Sequence, residues 1–155
     1  MGSKPRDSKP ASQKKRSGHR ESVANERPRI VIADDDPLIL EQIATLLETH
    51  FDVVARVGNG RELVDAVRRL APSVAVVDIA MPQMNGIEAA KRITSTYPDV
   101  KVVMLSGYSD EALVQAAFDA GASGYVLKLN AFTELIPAIQ NVLAGKLYAP
   151  RDAGR

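Results

Sequence analysis

The sequence predicts an α/β protein with a doubly wound, five-stranded parallel sheet, and three observations lead there. Five short apolar runs, Ile30–Ala33, Val53–Val57, Val74–Val77, Val102–Leu105 and Tyr125–Leu127, alternate with longer stretches of helical periodicity. No two runs are joined by a hairpin-length turn, so each connection has room for a helix that returns the chain to the same edge. Four of the five runs end in a polar residue, on the edge where open parallel sheets bind their ligands.

Composition sets the outer limits. At 155 residues the chain has the length of one domain with a core of its own. It has no cysteine, which excludes disulfides and thiolate metal sites. No run approaches the roughly 18 to 20 apolar residues of a membrane span, and the first residues lack the apolar core of a secretory signal. A soluble, cytoplasmic protein is the expectation. The net charge of +1 hides an asymmetry: residues 1–29 hold nine Lys or Arg against three acidic groups, whereas residues 30–150 hold nine against fifteen. Residues 1–28, rich in Lys, Arg, Ser and Pro, have almost nothing to bury and are expected to be a disordered basic arm. Lys14, Lys15 and Arg16 suit contact with nucleic acid or an acidic partner, and a solubilising leader is the plainer reading. The folded unit is expected over 29–148, with 149–155 as a tail or the start of a linker.

Each element has a local cause. Asp34, Asp35 and Asp36 close the first strand; Asp36 is placed to cap a helix with Pro37 at its first position and Ile39, Ile43, Leu46 and Leu47 on one face. After the second strand, Asn59 with Glu62 reads as a capping box, and Leu63, Val67 and Leu70 follow at helical spacing. Pro72 separates that helix from the third strand, Val-Ala-Val-Val, which stops at Asp78. Pro82 and Gly86 then punctuate a loop, and Asn85 with Glu88 opens a helix bearing Ile87, Ala90 and Ile93 that ends before Pro98. The fourth strand ends at Ser106 and is followed by a helix from about Asp110 to Ala120, closed by Gly121. The fifth strand ends at Lys128, and a last helix over about Ala131 to Ala144 is closed by Gly145. Pro137 inside this last helix should kink it or delay its start.

The strand ends carry the chemistry. If the first, third, fourth and fifth strands are neighbours, Asp34, Asp35, Asp78, Ser106 and Lys128 share one crevice. Three close carboxylates repel one another unless a cation compensates, and an all-oxygen set suits Mg2+ rather than zinc. Lys128 adds a second positive centre and Ser106 a hydroxyl donor. Such a site fits phosphoryl transfer to a carboxylate; Asp78 is the nucleophile candidate, because Asp34 and Asp35 would hold the metal.

With these residues in place, the chain from about Arg29 to Leu147 resembles the receiver domain of two-component response regulators. Asp-Ile-Ala-Met-Pro-Gln-Met-Asn-Gly, from Asp78 to Gly86, is the specific motif. The resemblance implies the flavodoxin-like strand order 2-1-3-4-5, with Asp78 as phosphoacceptor. It also implies Mg2+ held by Asp34, Asp35, Asp78 and the backbone carbonyl of Ala80, with Ser106 and Lys128 on the phosphoryl group. Tyr125 matches an aromatic switch position that turns inward as the hydroxyl residue moves, and Ala80 and Tyr108 match positions that tune the phosphorylated lifetime. A sensor histidine kinase would be the donor and a homodimer an expected assembly. The chain would be no enzyme beyond assisting its own phosphorylation and dephosphorylation.

Asp-Asp-x-Pro-Leu at Asp34 to Leu38 and Gly-Ala-Ser-Gly-Tyr-Val-Leu-Lys at Gly121 to Lys128 resemble the subfamily with a C-terminal LuxR-type helix-turn-helix domain. That domain would regulate transcription through DNA, and the residues before Arg155 leave no room for it. Two positions depart from the family pattern: Leu129 follows the lysine where Pro is common, and Gly107 stands where Ala is common. A Mg2+-dependent phosphohydrolase would need an acid beside the nucleophile, which Ala80 does not supply. A phosphorylation-independent scaffold would be expected to have lost an acidic residue or the lysine. A dinucleotide-binding domain is excluded, since no Gly-x-Gly-x-x-Gly follows the first strand.

Overall fold

A computed structural model of the protein describes residues 26–150. The expected basic arm, apart from Glu26–Pro28, and the tail beyond Pro150 lie outside the described residues. Within them the chain alternates β1 (Arg29–Ala33), α1 (Pro37–Leu47), β2 (Asp52–Val57), α2 (Gly60–Leu70), β3 (Val74–Val77), α3 (Gly86–Thr96), β4 (Lys101–Ser106), α4 (Glu111–Asp119), β5 (Gly124–Leu127) and α5 (Ala131–Leu143). A 3-10 turn over Lys128–Asn130, which the sequence did not suggest, links β5 to α5. All pairings are parallel in the order β2-β1-β3-β4-β5, so β1, β3, β4 and β5 are neighbours.

The interiors of β1, β3, β4 and β5 are apolar because helices cover both faces of the sheet, whereas the edge strand β2 carries Asp52 and Arg56. Side chains alternate across it: Val31, Ala33, Ala75, Val77, Val102, Met104 and Tyr125 join one core with α2, α3 and α4. Ile30, Ile32, Val74, Val76, Val103, Leu105 and Val126 join a second core with α1 and α5. The N-cap side chains bond as expected, although Glu62 Oε1 accepts from the Gly58 N–H at 3.3 Å and not from Asn59 as a capping box would have it. Asp36 accepts from Leu38 N–H at 2.9 Å, Asn59 from Glu62 N–H at 2.8 Å and Asn85 from Glu88 N–H at 2.9 Å. Asp110 caps α4 by position alone, with no side-chain bond. The Pro137 expectation is corrected in one respect: α5 starts at Ala131, with no delay, and runs through the exposed proline to Leu143. Pro137 leaves one carbonyl a turn earlier without its N–H partner, and the packing of Leu135, Ala138, Ile139 and Val142 holds the helix together regardless.

Two arginines fasten the start of the sheet. Arg27 donates to the carbonyls of Glu48 at 2.7 Å and Thr49 at 3.0 Å behind α1, and Arg29 donates to those of Leu70 and Ala71 behind α2. A cation at a helix C-terminus meets unpaired carbonyls and the negative end of the dipole.

Candidate functional site

The C-terminal ends of β1 and β3 place Asp34 and Asp78 side by side, both buried, with exposed Asp35 next to them. The backbone fixes the pair: Asp34 N–H donates to the Val57 carbonyl at 3.1 Å and Asp78 N–H to the Ala33 carbonyl at 2.9 Å. One carboxylate oxygen from each of Asp34, Asp35 and Asp78 lies within 4.8 Å of the others. Lys128, from the end of β5, reaches in between, with Nζ 2.9 Å from Asp34 Oδ2 and 3.4 Å from Asp78 Oδ1. The first contact is one of charge, since Asp34 Oδ2 is buried and has no directed hydrogen bond. Asp34 Oδ1 is committed to the Asp36 N–H at 2.9 Å. Three carboxylate oxygens this close are a donor set that a hard divalent cation could use.

The electrostatics follow from that crowding. Burial pushes the Asp78 carboxyl above the usual carboxylate range and Asp34 adds to the rise, while Lys128 and the Ala80 N–H oppose it. Burial opposes the charge on Lys128, yet Asp34 and Asp78 outweigh it and hold the ammonium above its ordinary value. Lys128 is therefore a fixed cation.

Gly86 shapes the loop that carries the chain away from Asp78. Its N–H donates to the Ile79 carbonyl at 2.8 Å, and a Cβ there would lie 2.1 Å from the Asp78 carbonyl oxygen. Only glycine lets α3 start so close to the strand end. Across the loop, a Cβ on Gly60 would meet the Met84 carbonyl at 2.1 Å, and Gln83 and Met84 both take left-handed backbone, at φ 52° and 90°.

Ser106, fully buried at the end of β4, accepts from the Tyr108 N–H at 3.0 Å. The Tyr125 ring is also fully buried, and its hydroxyl donates to the Tyr108 carbonyl at 2.6 Å. The ring thus already lies inward, and Tyr108 connects the two expected switch residues through its backbone. No sequence pattern announces that link, because any residue type supplies an N–H and a carbonyl. Gly107 has open space where a Cβ would be, so the loop there is uncrowded.

The family model of the response regulator receiver domain matches residues 30–140. The chain belongs to the response regulator receiver family. Among curated proteins, this receiver is 39% identical over 126 residues to the transcriptional regulatory protein LnrK of Bacillus subtilis, covering 80% of this chain and 57% of that one. It is 40% identical over 130 residues to the transcriptional regulatory protein DegU of Brevibacillus brevis, covering 83% and 55%. The receiver spans little more than half the length of these relatives. Among solved structures it is similar to a LuxR-family two-component response regulator from Aurantimonas sp. SI85-9A1, with a TM-score of 0.79 and 32% identity over 83% of this chain and 93% of that one. It is also similar to the isolated receiver domain of RcsB from Salmonella enterica serovar Typhimurium, solved with the phosphomimetic BeF3-, at a TM-score of 0.77 and 28% identity over 84% and 98%. No helix among the described residues is long and apolar enough to cross a membrane.

Proposed function

We propose that this receiver, acting in the cytoplasm, accepts a phosphoryl group on Asp78 from a sensor histidine kinase and uses it to switch a surface that serves transcriptional control. One observation carries the reading: the buried Asp78 carboxylate has a fixed ammonium at 3.4 Å and two further carboxylates with oxygens within 4.8 Å of its own. In the transfer, an Asp78 carboxylate oxygen attacks phosphorus in line and forms the acyl phosphate. The P–N bond of the donor phosphohistidine breaks, its electron pair returns to the imidazole, and the ring is protonated on leaving. Lys128 balances charge on the phosphoryl oxygens, and the Ser106 hydroxyl donates to one of them. Mg2+, held by Asp34, Asp35, Asp78 and the Ala80 carbonyl, would supply further charge neutralisation at the same oxygens.

Residues 29–148 form the switching unit, with the basic arm ahead and a linker behind. DNA contact would belong to an output domain such as the transcriptional regulators above suggest, and a homodimer is the proposed assembly. Incubation of the full chain with acetyl phosphate and Mg2+ is expected to add one phosphoryl mass, lost in Asp78→Ala. Undiminished labelling of that variant refutes the assignment.

A further inference from the structure

The loop that leaves Asp78 is pinned at two places. At its near end the Gly86 N–H donates to the Ile79 carbonyl at 2.8 Å, and at its outer end the Arg61 N–H donates to the Gln83 carbonyl at 3.2 Å. The second pin comes from another element, the first turn of α2. The leading N–H groups of a helix have no partner within it, so the Arg61 donor is available to the loop across the gap.

Close approach makes this contact possible. Gly60, the buried first residue of α2, has no side chain, and a Cβ there would lie 2.1 Å from the Met84 carbonyl oxygen and 2.9 Å from its carbon. Gly58, two residues earlier, has open space where its Cβ would be. The turn into α2 is itself braced, by Asn59 Oδ1 on the Glu62 N–H at 2.8 Å and by Glu62 Oε1 on the Gly58 N–H at 3.3 Å.

The loop needs such support. Gln83 and Met84 hold left-handed backbone at φ 52° and 90°, an unfavourable conformation for residues with a Cβ, and it persists only where neighbours over-determine it. Ala80 lies between the two pins, exposed, and its N–H acts on the Asp78 carboxylate. Release at Gln83 would let the Ala80 peptide move relative to that carboxylate.

We propose that Gly60 is a positioning residue for the acceptor site: by letting α2 abut Gln83 and Met84, it fixes the Ala80 peptide and with it the cation affinity of the carboxylate cluster. The proposal rests on the reading above, in which Asp34, Asp35, Asp78 and the Ala80 carbonyl hold Mg2+. Gly60 and Arg61 touch neither the cation nor the phosphoryl group and act through the loop backbone alone.

The test is a Mg2+ titration of the full chain, followed by the amide resonances of residues 78–81 well below the melting temperature of each variant. Gly60→Ala is expected to raise the dissociation constant about tenfold, a usual cost of disturbing the groups that orient a metal's ligands. It should also shift the Ala80, Gln83 and Met84 amides before metal is added. Gly58→Ala, which adds the same methyl group to the same turn in open space, should bind as the parent does. Labelling of Asp78 by acetyl phosphate should slow in Gly60→Ala at limiting Mg2+ and recover as Mg2+ is raised, a pattern that a folded but merely less stable variant would not show. Equal Mg2+ affinity in Gly60→Ala and the parent overturns the proposal, and so does an equal weakening by Gly58→Ala. If the parent binds Mg2+ but acetyl phosphate leaves Asp78 unlabelled, the phosphoacceptor reading falls, while the ratio of the dissociation constants still decides the role of Gly60. A parent whose amides ignore Mg2+ overturns the cation reading and this proposal together. Should Gly60→Ala fail to fold, Arg61→Pro takes its place: proline is tolerated in a first turn, removes the N–H that holds Gln83 and is expected to weaken binding likewise, and unchanged affinity there refutes the positioning role.

Discussion

Asp78 is held in a setting that disfavours its own charge. Burial and Asp34 raise its folded pKa above the ordinary 3.8, so in the window between that value and the raised one the folded chain binds more protons than the unfolded chain. Stability from this residue therefore falls as pH rises through the window, and at neutral pH an ionised Asp78 costs the metal-free protein stability. Asp78→Asn, nearly identical in shape, is expected to raise the metal-free melting temperature at pH 7, with the gain shrinking as the pH falls into the window. Thermal scans at several pH values check this; an Asn variant less stable at pH 7 would mean that the Lys128 contact outweighs the cost of burial.

Among the elements, α5 makes the clearest case. Pro137 is exposed in the middle of the helix, where it removes a donor and crowds the preceding turn. Pro137→Ala is expected to stabilise the protein by about 1 to 3 kcal/mol, read by denaturant titration at unchanged m-value. A loss of stability would show that the ring packs or pre-orders the chain more than it disrupts. The helices were legible in the sequence because their signals are local: Asp36 with Pro37, Asn59 with Glu62 and Asn85 with Glu88 each fix an N-terminus within one turn. The strand ends were legible for the same reason, since four of the five apolar runs stop at a polar residue that the fold brings to one edge. Other features were hidden because they join distant backbone atoms. The Tyr108 relay, the return of Tyr148 to β5 and the capping of α1 and α2 by Arg27 and Arg29 depend on carbonyls that no residue type marks. In the sequence Gly86 marks only a loop, whereas the structure gives it a steric task against the Asp78 carbonyl.

For the molecule as a whole, a divalent cation held at the acidic corner, as proposed above, would couple folding to its concentration. A ligand that binds only the folded state adds stability by mass action, about 2.7 kcal/mol at a hundredfold excess over Kd. Mg2+ is expected to raise the melting temperature in a concentration-dependent way that Asp35→Asn largely abolishes, while monovalent salt at equal ionic strength does not reproduce the rise. An Asp35→Asn response equal to that of the parent would assign the exposed carboxylate another purpose. The arginine fasteners have a practical consequence at the same scale. They pin Arg27 and Arg29 where β1 begins, a full strand of five residues, or about 16 Å, from the end that carries Asp34. A surface tether or dye fused ahead of Arg27 therefore starts from the far pole of the molecule. Immobilised that way, the receiver would keep the edge that carries Asp78 turned toward solution, open to the bulky phosphoryl donor proposed above.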